Sequence, residues 1–145
     1  MAYIPETVRA TALIKQLVDA GLTHLNSGKT GELFALERPD RLLMWKSDRI
    51  SIFDFVLPAL VRDKGSILTA MTILWLEKVF RNFQDHLIRY GTGIDVDLPA
   101  QLCNRPSIRQ RAIVIKRMAT PDIECIVRGY LAGTGLKAYQ ETQLV

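Results

Sequence analysis

Near the end of the chain, Ile123-Glu124-Cys125-Ile126-Val127-Arg128-Gly129-Tyr130-Leu131-Ala132-Gly133-Thr134-Gly135 sets one arginine and one hydroxyl around glycines directly after an apolar run. Glycines let a ligand approach the backbone N–H groups, and a guanidinium supplies a bidentate donor, so the segment suits a phosphate or carboxylate. The same residues also fit an Arg128–Glu124 ion pair and a threonine in a turn. A second candidate is Asn26-Ser27-Gly28-Lys29-Thr30-Gly31, a glycine-bracketed turn that carries one ammonium. Gly28 and Lys29 could cradle phosphate, and they equally describe a solvated turn. The third cluster, Ser47-Asp48-Arg49-Ile50-Ser51-Ile52-Phe53-Asp54, gathers ionisable and hydroxyl groups. Asp48, Arg49, Ser51 and Asp54 read either as a pocket wall or as a capped turn with a local ion pair. Lys64, before Gly65, reads as a loop lysine. His24 and His86 have no partners at metal-ligand spacing and read as structural or surface residues.

These groups need elements to hold them. Val8, Ala12, Leu13, Leu17 and Val18 repeat at helical spacing behind Pro5 and stop at Gly21, which predicts a short amphipathic helix. Glu32–Leu36 and Arg41–Lys46 read as strands around Arg38-Pro39-Asp40, so residues 28–46 form a hairpin, with the Ser47–Asp54 cluster at its exit. Ile67, Leu68, Met71, Leu74, Trp75 and Val79 mark one face of a helix of about four turns, packed on the sheet. Strands are expected at 94–96, 112–115 and 125–127, and a helix from Gly135 to Gln140. The architecture is α+β, an antiparallel sheet with a packed helix.

A chain of 145 residues with 48% hydrophobic and 23% charged residues can bury the core of one domain and is not disordered. Its net charge of +4 invites a nucleic-acid reading. The basic residues, however, are scattered among acids, and the densest group (Arg105, Arg109, Arg111, Lys116, Arg117) lacks stacking aromatics. It reads as charges alternating on the solvated face of a strand, not as a nucleic-acid surface. Cys103 and Cys125 form no CxxC pair, so no zinc site or disulfide framework is indicated. No secretory leader is visible, and the apolar stretch from Ile67 to Phe80 is broken by Glu77 and Lys78. A soluble, cytoplasmic protein that does not enter the membrane is expected.

Four segments, in order, resemble the SAICAR synthetase (phosphoribosylaminoimidazole-succinocarboxamide synthase) family: Gly28-Lys29 before a strand, the Ser47–Asp54 block, Lys64-Gly65 with the Leu68-to-Phe80 helix and its Trp75, and Glu124 through Tyr139. The last is similar to a specific signature, apolar–Glu–x–apolar–Val–Arg–Gly–Tyr–apolar–Ala–Gly–Ser–Gly. Thr134 replaces its serine and keeps the hydroxyl, and Asp122 introduces a one-residue shift after Pro121. No segment matches a second family signature built on Asp-x-Lys-apolar-Glu-Phe-Gly. The expectation is therefore a truncated chain, with an N-terminal lobe over 1–117 and a hinge plus the start of a C-terminal lobe over 118–145.

The resemblance implies a sheet-and-helix lobe like that of protein kinases, with ATP between two lobes. It implies a ligase of purine biosynthesis that phosphorylates the carboxylate of carboxyaminoimidazole ribonucleotide, which the amine of L-aspartate then attacks, with Mg2+ on the phosphates. By resemblance, Gly28 and Lys29 meet the ATP phosphates and Arg128 and Thr134 the nucleotide substrate. Asp48, Arg49, Ser51 and Asp54 line the substrate pocket, and Glu124 orients Arg128. No catalytic residue and no metal ligand is assigned within the chain. A non-catalytic nucleotide-binding remnant, or one subunit of a split enzyme, is the alternative. Self-association or a C-terminal-half partner would accompany either.

Overall fold

The computed structural model describes residues 12–53, 55–123, 126–127 and 129–143. Helix α1 (Ala12–Asp19) leads into three antiparallel strands, β1 (Thr23–Ser27), β2 (Gly31–Ala35) and β3 (Arg41–Lys46). A two-stranded hairpin follows, β4 (Arg49–Ile52) and β5 (Phe55–Leu60), and then helix α2 (Lys64–Leu74), which runs on into a π-helical turn, Trp75–Val79. Strand β6 (Leu87–Tyr90), the 3-10 segment Gly91–Asp97, the short helix α3 (Pro106–Arg109), β7 (Ala112–Lys116) and helix α4 (Gly133–Thr142) complete the order. The main sheet is antiparallel throughout, in the order β1-β2-β3-β7-β6.

Burial explains this layout. One sheet face packs Phe34, Leu43, Trp45, Ala112 and Val114 against Ile14 and Leu17 of α1, Ile94 of the 3-10 segment and Ile108 of α3. The other face joins Leu42, Ile113 and Ile115 to Ile73 of α2. Strand β7 is thus covered on both sides, and Ala112-Ile113-Val114-Ile115 is a continuous apolar run because every position is buried.

The hairpin over 28–46, the strand at 112–115 and the last helix match their sequence patterns, as does the first helix from Ala12 to Asp19, its expected start at Pro5 and Val8 lying outside the described residues. Other expectations are corrected. Residues 94–96 are not a strand but 3-10 helix, because Asp95 and Asp97 are drawn into ion pairs with Arg109 and with Arg41 and Arg89. The basic group at 105–117 does not alternate on a solvated strand face. Arg109 lies in α3 on Asp95, and Arg111 meets Asp48 just before β7. Ile126 and Val127 adopt no strand, and Cys125 lies outside the described residues.

Helix α2 turns a different face to the sheet from the one its apolar periodicity suggests. Ile67, Met71, Leu74, Trp75 and Val79 are exposed, whereas Gly65 and Thr69 are buried and Ile73 packs against the sheet. Small residues at i and i+4 bring this helix close to the sheet: a Cβ on Gly65 would meet the Lys46 carbonyl oxygen at 2.5 Å. No helix among the described residues is long and apolar enough to cross a membrane.

Candidate functional site

The turn from Gly28 to Gly31 joins β1 to β2 and is closed by the Gly28 N–H donating to the Gly31 carbonyl at 2.8 Å. Its end lies against β3, where Gly31 pairs with Lys46. A Cβ on Gly31 would sit 2.6 Å from the Trp45 carbonyl oxygen, so only glycine allows this approach. The turn opens onto a cavity of about 230 Å3, lined by Gly28, Lys29, Thr30, Gly31, Met44 and Lys46 among others.

A buried arginine sets the shape of this turn. The Arg49 Nη2 donates to the carbonyls of both Gly28 and Gly31, at 3.0 and 3.1 Å, and the same guanidinium ion-pairs with Glu32 Oε1. Arg49 Nε donates to Ser47 Oγ at 2.9 Å. Glu32, equally buried, has its second oxygen engaged by His24 Nε2 at 2.7 Å and by the Ser27 hydroxyl at 2.5 Å. Arg49 thus holds the carbonyls at both ends of the turn, and the Lys29 side of the turn lines the cavity. His24 also packs on Phe34, with ring centroids 5.1 Å apart.

The neighbouring Asp48 ties three elements together. Its carboxylate forms a bidentate pair with Arg111 ahead of β7, and it accepts from the Gly65 N–H at 2.8 Å in the first turn of α2. Asp63, at the N-cap, makes no side-chain cap bond, so Asp48 caps the helix from outside. The Arg111 guanidinium, helped by the Gly65 amide, holds the Asp48 carboxyl below its ordinary pKa against the opposing effect of burial. Lys64 Nζ donates to the Arg49 carbonyl at 2.9 Å. The Ser47–Asp54 block is therefore an internal junction as far as Arg49. Ser51 is half-buried in β4, opposite Val56.

Of the residues singled out from the sequence, Gly28, Lys29, Asp48 and Arg49 come together around this one turn. Asp54, Glu124 and Arg128 lie outside the described residues, and Thr134 is exposed in the first turn of α4. Lys46, Glu32 and Arg111 were not read as site residues, and the one available signal was the charge of Lys46 at a strand end next to the Ser47–Asp54 block. A larger cavity of about 460 Å3 lies at the far end of β2, between Ala35–Arg38 and Val96–Pro99. Arg38 is the one cation in its lining, against Glu37 and Asp97, so it suits a polyphosphate less well than the smaller cavity does. No group of three His, Cys, Asp or Glu side chains able to hold a metal occurs among the described residues.

The family model described as SAICAR synthetase matches residues 24–144, from β1 through α4. A phosphoribosylaminoimidazole-succinocarboxamide synthase from Azoarcus sp. (strain BH72) is 38% identical over 133 residues, covering 92% of this chain and 41% of the relative. The synthase of the same description from Methylobacillus flagellatus is 41% identical over 125 residues, covering 83% and 39%. The structure of SAICAR synthase from Saccharomyces cerevisiae complexed with SAICAR superimposes with a TM-score of 0.74 at 28% identity, over 86% of this chain and 43% of that one. The chain spans about two fifths of the length of these relatives. The sheet, the glycine turn and the junction at Ser47–Arg49 all fall within the matched residues, and on this agreement of sequence and fold the chain belongs to the SAICAR synthetase family.

Proposed function

We propose that this chain contributes the nucleotide-phosphate site of an ATP-dependent ligase of purine biosynthesis, which joins L-aspartate to the carboxylate of carboxyaminoimidazole ribonucleotide and forms SAICAR. The observation that carries this reading is the Gly28–Gly31 turn, whose two end carbonyls are held by Arg49 and which lines a cavity together with Lys29 and Lys46. Family membership supports the following reaction. The γ-phosphoryl group of ATP passes to a carboxylate oxygen of the ribonucleotide. The aspartate amine then attacks the activated carbonyl carbon, a C–N bond replaces the C–O bond to phosphate, and the amine loses a proton. Phosphoryl transfer is mainly a matter of positioning and charge stabilisation, which a rigid turn and an ammonium provide.

In this reading Gly28 and Lys29 bind the ATP phosphates, Arg128 and Thr134 bind the phosphate of the ribonucleotide, and Glu124 orients Arg128. Ser51 and Asp54 line the pocket, and Asp48 and Arg49 hold it in shape. The same reading divides the lobes at 117, and the end of β7 at Lys116 is compatible with that division. Arg128→Ala removes a charge-assisted contact worth about 1.5–3 kcal/mol and should weaken the ribonucleotide roughly ten- to hundredfold while leaving ATP affinity nearly unchanged. Thr134→Ser should be close to silent. Separate titrations with the two ligands check this, and equal losses for both would make Arg128 a packing residue.

The span of about two fifths of the relatives favours a second reading, in which the chain binds nucleotide but turns over only with a further lobe. The exposed stripe of α2 offers such a lobe an apolar surface. Product formation is expected when a polypeptide matching the remaining length of the relatives is added. Turnover by the chain alone at the rate of a full-length relative would reject this second reading.

A further inference from the structure

We infer that Lys46 is a second phosphate-binding cation of the glycine-turn cavity, placed opposite Gly31 to meet the polyphosphate of a nucleoside triphosphate from the β3 side while Lys29 meets it from the turn. The inference rests on the reading of this cavity as the nucleotide-phosphate site.

Three observations carry it. Lys46 ends β3 directly across from Gly31, and an ideal Cβ on Gly31 lies 3.4 Å from Lys46 Cδ, so the lysine stem runs along the floor that the glycine leaves open. Lys46 and Lys29 both line the cavity, which brings two ammonium-bearing chains to one small opening. The Lys46 ammonium also has no counter-charge: among the described residues no carboxylate pairs with it, although it is half-buried. A half-buried ammonium is ordinarily paired, because burial without a partner disfavours the charged form. Here burial, and then the Lys64 ammonium, lower the Lys46 pKa from its ordinary value. Two lysines in the lining of one small cavity, whose carboxylate, Glu32, is already held by Arg49, favour an anion there. A polyphosphate fits, because a compact ammonium serves it as a point charge.

The test titrates the full 145-residue chain calorimetrically with inorganic tripolyphosphate, with ATP and with adenosine. Wild type is expected to bind tripolyphosphate and ATP. Lys46→Met should weaken both by roughly tenfold or more, while adenosine is unaffected. Lys46→Arg should restore most of the affinity, and Lys15→Met, on the exposed side of α1, should change nothing. A second readout is the dependence of the binding enthalpy on buffer ionisation at alkaline pH. Bound phosphate restores the Lys46 proton, so wild type should take up protons on binding and Lys46→Met should take up fewer. If wild type binds tripolyphosphate and Lys29→Met weakens it, but Lys46→Met binds as wild type does with the same proton uptake, the Lys46 inference fails and the cavity assignment stands. If wild type binds neither tripolyphosphate nor ATP, both fall together.

Discussion

Arg49→Met is expected to lower stability by about 3–5 kcal/mol, a large fraction of what holds a single domain together. The ion pair it breaks is fully enclosed, with side-chain exposures of 1% for Arg49 and 0% for Glu32. Removing the guanidinium leaves Glu32 Oε1 without its cation in a place water does not reach. The His24 and Ser27 bonds go to the other oxygen and cannot replace it. The decisive comparison is the double variant Glu32→Leu/Arg49→Met. Two uncharged side chains of similar reach remove the stranded charge, so much of the lost stability should return, as it does when buried ion pairs are replaced whole. The clamp on the Gly28 and Gly31 carbonyls does not return with it. The double variant should therefore melt well above Arg49→Met yet bind tripolyphosphate weakly. Urea unfolding of the three proteins, with titrations alongside, measures both effects. Stability of Arg49→Met within about 1 kcal/mol of wild type would show that the pair is dispensable, and full phosphate binding by the double variant would show that the turn holds its shape unaided.

The part of this site that could be read from sequence is the part encoded locally. Glycines around Lys29 announce a turn whatever the rest of the chain does, and the apolar runs Leu33–Leu36 and Leu42–Trp45, separated by Arg38-Pro39-Asp40, place that turn at the end of a hairpin. Strand β1 escaped notice because Thr23-His24-Leu25-Asn26-Ser27 is an edge strand, mostly exposed, whose polar residues carry no periodic signal. The hairpin β4–β5 was hidden by Pro58 and by a reversal at Phe53, which takes a positive φ of 45° that sequence does not advertise. Long-range pairing is the larger gap. Arg49 and Asp48 look like an exposed charged cluster until the fold brings Glu32, Arg111 and the first turn of α2 to them. Lys46 looks like any lysine at the end of a strand until register sets it across from Gly31. The inward face of α2 was misread because closeness to the sheet is achieved there by the smallness of Gly65 and Thr69, whereas periodicity weighs only apolar bulk.

Asp48 illustrates how much such a junction contributes, and its behaviour with pH can be worked out from its partners. Asp48→Ala removes both oxygens that the Arg111 guanidinium grips and also the acceptor for the Gly65 N–H. Asp63 remains within reach of Arg111 at 3.8 Å, but its side chain is largely exposed and offers weak compensation. A loss of about 3 kcal/mol is expected, from hydrogen bonds in which one partner is charged. Asp48→Asn should retain part of it, since an amide oxygen can still accept from Gly65. The folded-state pKa of Asp48 lies below the ordinary value of 3.8, chiefly through Arg111. Its ionised form is thus favoured by folding. The stability this supplies is fully present above the unfolded pKa and disappears as pH falls through the folded one. On acidification below about pH 4, wild type should lose stability more steeply than Asp48→Asn, and the two should converge once the carboxyl is protonated in both states. Asp95, held down in the same direction by Arg109, titrates in both proteins and leaves the difference between them intact. Thermal unfolding across the acid range gives both curves. Parallel curves would mean that the Asp48 carboxylate is not coupled to Arg111 in the folded chain, and the first turn of α2 would then owe its place to the Gly65 N–H bond and to the close packing of Gly65 against the Lys46 carbonyl.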